Sequence, residues 1–279
     1  MNAFEKIIHF LQYEVEVPKL YGTFHIVSLI LVLIAAVILA THVNKGGDRA
    51  YRTTLFVLWV IIVVFEVMRE FVFSMHVSDG VATWDYAWYI FPFQLCASPL
   101  YIFPFAALMP EGRVRRACMM YLSTFALFGG LVVMIYPGDV VTYLLSINIQ
   151  ALLHHGIQLI GGIITIVHNR EHHTFKNMYK GVIVFAVLVG IAMVLNVGVH
   201  SYLEANGMGD TFNMFFISPY FPCTLPILAS IYPVVPYPVF LLIYLLGFTI
   251  IAAAMIGLSK LVMLGVRSAI TTLEKRKKA

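Results

Sequence analysis

Residues 146–167 read SINIQALLHHGIQLIGGIITIV, and residues 86–108 read YAWYIFPFQLCASPLYIFPFAAL. Neither stretch contains Asp, Glu, Lys or Arg. Each has the length, about 20 residues, that crosses ~30 Å of hydrocarbon at 1.5 Å per residue. Both carry a polar knot where hydrocarbon is expected: Gln94-Leu95-Cys96 in one, His154-His155-Gly156 in the other. A thiol and an imidazole so placed cost free energy, and that cost marks them as functional candidates.

The rest of the 279-residue chain has the same character, 61% hydrophobic and 11% charged, against about 25% charged in soluble domains. The pattern predicts an all-α, polytopic membrane protein forming a single domain. Its seven spans fall near 22–41, 53–75, 86–108, 116–136, 146–167, 179–200 and 237–259. Charge then orients the chain. Fifteen of the 18 Lys and Arg fall after spans one, three, five and seven, whereas Lys6 and Lys19 lie on the opposite side and Arg69 within span two. Asp79, Asp85, Asp139, Glu204 and Asp210 share the poorer side. The positive-inside rule therefore expects the N-terminus outside and the C-terminus in the cytoplasm.

The net charge of +4 is thus an orientation signal spread over four short stretches, and no nucleic-acid face is expected. Lys275-Arg276-Lys277-Lys278 reads as a stop-transfer flank or an anionic-lipid contact. Glu5, Glu14 and Glu16 interrupt the first twenty residues, so no cleaved signal is expected. Cys96, Cys118 and Cys223 suggest no disulfide framework. Residues 201–236 are apolar yet hold Pro219, Pro222, Pro226, Pro233 and Pro236, which excludes a regular helix. The segment reads as a lid-like or partly re-entrant outer loop, with an interfacial aromatic belt as the plainer alternative.

If spans three and five are regular helices, Cys96 and His155 lie at equal depth, about 14–15 Å in at 1.5 Å per residue. Glu66, Arg69 and Glu70 add charge from span two, with Glu66 and Arg69 spaced to pair on one face. Gln150, His154 and Gln158 recur every four residues as a stripe, joined by Asn148, Asn196 and His200. Taken singly, each can be an interhelical hydrogen bond worth about 0.6 kcal/mol. Together they predict a polar cavity opening outward. The stripe favours His154 as the imidazole facing Cys96.

Cys96 in its Gln94-Leu95-Cys96 context after Pro92, the His155-Gly156 pair, Asn213-Met214-Phe215 followed by Pro219, and Tyr232-Pro233-Val234-Val235-Pro236-Tyr237 resemble the YwaF-like family of bacterial seven-helix membrane proteins. That family has eukaryotic relatives described as lipid acyltransferases using an intramembrane Cys and His, and more distant intramembrane fatty-acid-ester hydrolases. The resemblance implies Cys96 as acyl-accepting nucleophile and His155, ranked before His154, as general base. It also implies a bacterial plasma membrane location. Gln94 departs from the family, which more often has His there.

The expected function is therefore a lipid acyltransferase or lipid-ester hydrolase acting on membrane lipids. Gln94, Glu66, Arg69, Gln150, Gln158, Asn196 and Asn213 are expected to line the substrate site, with Gln94 or Asn196 donating to an oxyanion. No cofactor or metal is expected. The main alternative is a transporter or lipid-binding or solute-binding protein using the same cavity without catalysis. A haem or metal site among His25, His76 and His200 is disfavoured by their spacing. A retinal protein is disfavoured because span seven has no central lysine.

Overall fold

The computed structural model describes residues 3–78, 81–209 and 211–278. Asp79 and Asp210, used in the charge pattern, lie outside the described residues, as do the side chains of Arg267 and of Lys275 through Lys278. The chain is predominantly helical. Among the described residues, five helices are long and apolar enough to cross a membrane: Thr23–Ser74 (α2), Arg113–Ile135, Leu145–His168 (α6), Phe175–Ala205 and Tyr237–Val266. The fourth contains α7 (Met178–Ala205), and the fifth is the first part of α9 (Tyr237–Lys278). Arg113–Ile135 is made of α4 (Arg113–Tyr121) and α5 (Leu127–Ile135), joined through a π turn at Leu122–Ala126. A short helix, α1 (Ala3–Leu11), and a two-stranded antiparallel hairpin, β1 (Met75–Ser78) and β2 (Val81–Trp84), cap one end. The 52-residue α2 is two arms rather than one rod, because Gly47 sits at φ 62, ψ −147. That backbone region is open to glycine and costly for other residues.

Helix α6 is the centre of the bundle. It is 83% buried over its most apolar window, against 11% for α2. The helix carrying the polar stripe is therefore enclosed by protein, and the strongly apolar α2 presents its residues outward, as lipid solvation requires. At Gly130 of α5 a Cβ would stand 2.6 Å from the backbone nitrogen of Leu159 and 2.9 Å from the carbonyl oxygen of His155. Only a residue without a side chain lets α5 approach α6 so closely.

The expected helix over 86–108 is not formed as such. A single 3₁₀ turn at Trp88–Ile90 is followed by irregular turns to Ser98, and helix α3 is confined to Pro99–Leu108. Proline explains the shortening. Pro92 has no N–H to give, and Pro99 takes the first helical position, where its missing donor is harmless. Pro104 inside α3 frees the carbonyl of Leu100, which accepts instead from Trp59 Nε1 at 2.8 Å. The carbonyls left over at the end of α3 are met by arginines: Arg115 Nε donates to Ala106 O at 3.0 Å, and Arg52 donates to Ala107 O and Met109 O at 3.0 and 2.7 Å. The 14–15 Å depth assigned to Cys96 assumed a helix, so it does not stand.

Residues 201–205 of the expected outer loop are instead the end of α7, and within the rest the stretch from Phe212 to Ser218 is a buried plug. Phe212, Met214, Phe215, Ile217 and Cys223 are at most 3% exposed, and the short helix α8 (Leu228–Ile231) follows them. Irregular backbone survives there because side chains satisfy its peptide groups. Gln94 Nε2 donates to Asn213 O at 2.8 Å, and Gln94 Oε1 accepts from Phe215 N at 2.7 Å. Asn196 does the same on both sides of Met214, at 3.0 and 2.7 Å. Tyr244 donates to Phe215 O at 3.0 Å.

Candidate functional site

A cavity of about 670 Å³ opens between the second arm of α2, the 89–97 segment, the first half of α6 and the buried plug. Its lining includes Cys96, His154, His155, Gln94, Glu66, Arg69, Gln150 and Asn213. Most of the polar residues singled out in the sequence therefore meet in one space. Asn196 does not line it, being committed to the plug backbone, and Gln158 lies further along α6, fully buried with neither amide atom hydrogen-bonded.

Cys96 stands in a turn rather than on a helix. Ala97 N donates to Gln94 O at 2.9 Å and Ser98 N to Leu95 O at 3.3 Å. Tyr101 donates to Pro92 O at 2.7 Å, and Tyr121 to Ser98 Oγ at 2.8 Å, pinning the turn from two helices. The thiol is half-buried and, among the described residues, hydrogen-bonded to neither histidine ring.

The two imidazoles are held differently. His155 Nδ1 lies 2.7 Å from Ala151 O. A carbonyl can only accept, so Nδ1 carries the hydrogen, and Nε2 keeps its lone pair. That Nε2 is buried without a partner. His154 Nε2 donates to the Cys96 carbonyl at 3.0 Å, and its Nδ1 stands 3.7 Å from Glu66 Oε2, just outside hydrogen-bonding distance. Glu66 is itself fixed: Oε1 accepts from Arg69 at 2.6 Å and Oε2 from Gln150 Nε2 at 3.1 Å. Arg69 also donates to Ile90 O at 2.9 Å, tying the charge pair to the turn before Cys96.

Comparison with known families matches residues 20–260 to the TMEM164 family, a family of multi-pass membrane proteins. The chain belongs to the TMEM164 family. No curated protein and no solved structure matches it. For this TMEM164-family chain the membership establishes a multi-pass membrane protein and brings no stated activity; the comparison does not return the YwaF-like, acyltransferase or hydrolase relationships.

The oxyanion role expected of Gln94 or Asn196 is not the one they are built for, since each amide is engaged through both its nitrogen and its oxygen by the plug. His25 is satisfied as well, with Nδ1 accepting from Tyr21 N at 3.1 Å and Nε2 donating to Met134 O at 2.9 Å. Among the described residues, no three His, Cys, Asp or Glu side chains gather as a metal site would need. Sequence reasoning missed Asp139 and Thr142, which line the cavity from the loop before α6. A loop aspartate carries no signal that separates it from an ordinary solvated charge.

Proposed function

We propose that the chain is an intramembrane acyl-transfer enzyme, a lipid acyltransferase or lipid-ester hydrolase, with Cys96 as nucleophile and an imidazole of the His154–His155 pair as its base. The observation that carries this reading is the shared cavity, which Cys96 and the His154–His155 pair line together, with His155 Nε2 left without a hydrogen-bond partner. Cys–His pairs work by transfer of the thiol proton to the ring. The thiolate then attacks an ester carbonyl, and the departing alcohol takes the proton back. An incoming alcohol or water gives a proton to the ring and releases the acyl group from sulfur, restoring the thiol. Apo sites of this kind are often loose and tighten on substrate, which fits a thiol not yet bonded to either ring.

The membrane arrangement that accompanies the proposal has seven spans: the two arms of α2, the 86–108 segment, the Arg113–Ile135 helix, α6, α7 and α9. With the N-terminus outside and the C-terminus cytoplasmic, the cavity opens toward the outer leaflet. The resemblance to YwaF-like proteins supports the chemistry and a bacterial plasma membrane as location.

The test is lipid analysis of cells or proteoliposomes carrying wild type, Cys96→Ala, His154→Ala and His155→Ala at equal expression. An acyl redistribution present in wild type and absent from Cys96→Ala and from at least one histidine variant is expected. Identical acyl composition in all four removes the enzyme reading. The missing thiol–imidazole hydrogen bond favours one alternative, a carrier that binds solute through Glu66, Arg69 and Gln150. A carrier would keep its transport in Cys96→Ala.

A further inference from the structure

We propose that Glu66 is the positioning carboxylate of the Cys96 centre and acts through His154, so that the working order is Glu66–His154–Cys96. The inference rests on the acyl-transfer reading for its purpose and on four contacts for its content. Glu66, 6% exposed, is clamped by Arg69 at 2.6 Å and Gln150 at 3.1 Å, so its carboxylate has one fixed orientation. Oε2 faces His154 Nδ1 at 3.7 Å, about 0.9 Å longer than a charge-assisted hydrogen bond. The other ring nitrogen already touches the Cys96 backbone at 3.0 Å.

The hydrogen bond from His154 Nε2 to the Cys96 carbonyl gives the order its direction. The structure shows the other tautomer, with Nε2–H on the Cys96 carbonyl; to act as base the ring must carry its hydrogen on Nδ1, directed at Glu66, and leave the Nε2 lone pair free. When the thiol proton moves from Cys96 Sγ to Nε2, one S–H bond breaks and one N–H bond forms. The product is a thiolate beside an imidazolium with two N–H groups. Nε2–H then donates to the Cys96 carbonyl, the contact seen here, and Nδ1–H remains on Glu66. Both ends of the imidazolium are met by fixed acceptors. His155 has no carboxylate at Nδ1, which is spent on the Ala151 carbonyl of its own helix.

Other charged and titratable groups face this centre: Arg69 and Glu70 from α2, Asp139 from the loop before α6, and His155 alongside on α6, its ring centre 5.5 Å from that of His154. Arg69 opposes a second positive charge on His154, so the carboxylate between them is what makes an imidazolium tolerable.

The experiment reads the thiol directly and needs no substrate. The purified full-length protein in lipid nanodiscs is alkylated with iodoacetamide from pH 5 to 10, and the rate at Cys96 is followed by peptide mass spectrometry. In Glu66→Gln the midpoint is expected to rise by about one pH unit, with the rate at pH 7 falling about tenfold. Glu66→Asp restores part of the loss, His154→Ala shifts the profile at least as far as Glu66→Gln, and His155→Ala leaves it in place. Because Glu66→Gln strands the Arg69 charge, Glu66→Gln/Arg69→Gln is measured beside it and is expected to show the same rise. An unmoved profile in the folded double variant overturns the proposal, and so does a shift produced by His155→Ala but not by His154→Ala. If the profile moves as described while lipid acyl composition never changes, the Glu66–His154–Cys96 order stands and the acyl-transfer reading falls.

Discussion

The two ends of the bundle both bury polar side chains, and they do so in opposite ways. At the end around Gly47, Arg115 is 2% exposed, and its three guanidinium nitrogens reach Ala106 O, Glu111 and Asp48. Its guanidinium also lies over the Tyr51 ring at 5.8 Å. At the cavity end, His154 Nδ1 and His155 Nε2 are buried with no hydrogen-bond partner, and beneath them both amide atoms of Gln158 are in the same state. A buried polar group left unpaired costs about 1–3 kcal/mol. The satisfied cluster is an anchor for α3, α4 and α2. The histidines of the unsatisfied one line the cavity.

The sharpest way to break this contrast is to exchange the consequences of mutation at the two ends. Cys96→Ala is expected to remove acyl transfer by about 10³-fold or more while changing stability by less than about 1 kcal/mol. Arg115→Ala is expected to do the reverse. It deletes contacts to two carboxylates and a helix-end carbonyl and costs about 2–3 kcal/mol, below the full value for a broken buried pair because Asp48 and Glu111 are half-exposed and rehydrate. Activity per folded molecule stays at the wild-type level. Thermal unfolding in detergent and lipid analysis on the same preparations read the two effects. Equal stability losses in both variants would erase the distinction.

Gly130→Ala probes what holds the site in place. Its Cβ would meet the backbone of Leu159 and His155, atoms that cannot move aside singly. A loss of about 2 kcal/mol is expected, accompanied by a lower Cys96 alkylation rate, because separating α5 from α6 shifts His155 and its neighbour. Gln158→Leu sharpens the comparison from the other side. Removing an unpartnered buried amide in favour of an apolar side chain of similar volume should raise stability by about 1 kcal/mol. A loss of stability would show that Gln158 has a partner in the folded protein and does not belong with the unsatisfied cluster.

The smallest effect concerns Glu111, whose carboxyl is held below the usual carboxylate range by its hydrogen bond to Arg116 and, against some burial, by Arg115. A depressed carboxylate stabilises the fold above its unfolded pKa, about 4.3, and that contribution is lost as pH falls through the lower folded value. The unfolding midpoint should therefore be level from pH 7 to 5 and drop below about pH 4. In Glu111→Gln the drop should be shallower.

Much of this molecule was legible in its sequence, and the failures share a cause. Residues 22–41, 53–75, 146–167 and 179–200 are long apolar runs whose length requires helix, and helices form there. The Glu66–Arg69 pair was readable from its three-residue spacing on one helix. Residues 86–98 are as apolar as any span, and hydropathy alone assigns them to a helix. The corrective signal is in the prolines at 92, 99 and 104. Gln94 and Asn196 looked like substrate ligands because an amide in a membrane segment reads as functional. Their true partners are peptide groups of a segment more than a hundred positions and some eighteen positions away, respectively, which no local pattern encodes. The four-residue stripe of Gln150, His154 and Gln158 points His154 toward Cys96, whose carbonyl its ring meets, while the free nitrogen of His155 follows from the Ala151 carbonyl taking the other.

The most direct test is to look for the covalent intermediate itself. Wild-type protein and the Cys96→Ala, His154→Ala and His155→Ala variants are reconstituted with phospholipid of one defined acyl chain, quenched in acid and digested for peptide mass spectrometry. The account predicts a hydroxylamine-sensitive acyl thioester on Cys96 of the wild type, absent from Cys118 and Cys223 and lost in His154→Ala. Wild-type Cys96 found only as free thiol, in preparations whose lipids nonetheless exchange acyl chains, would contradict it.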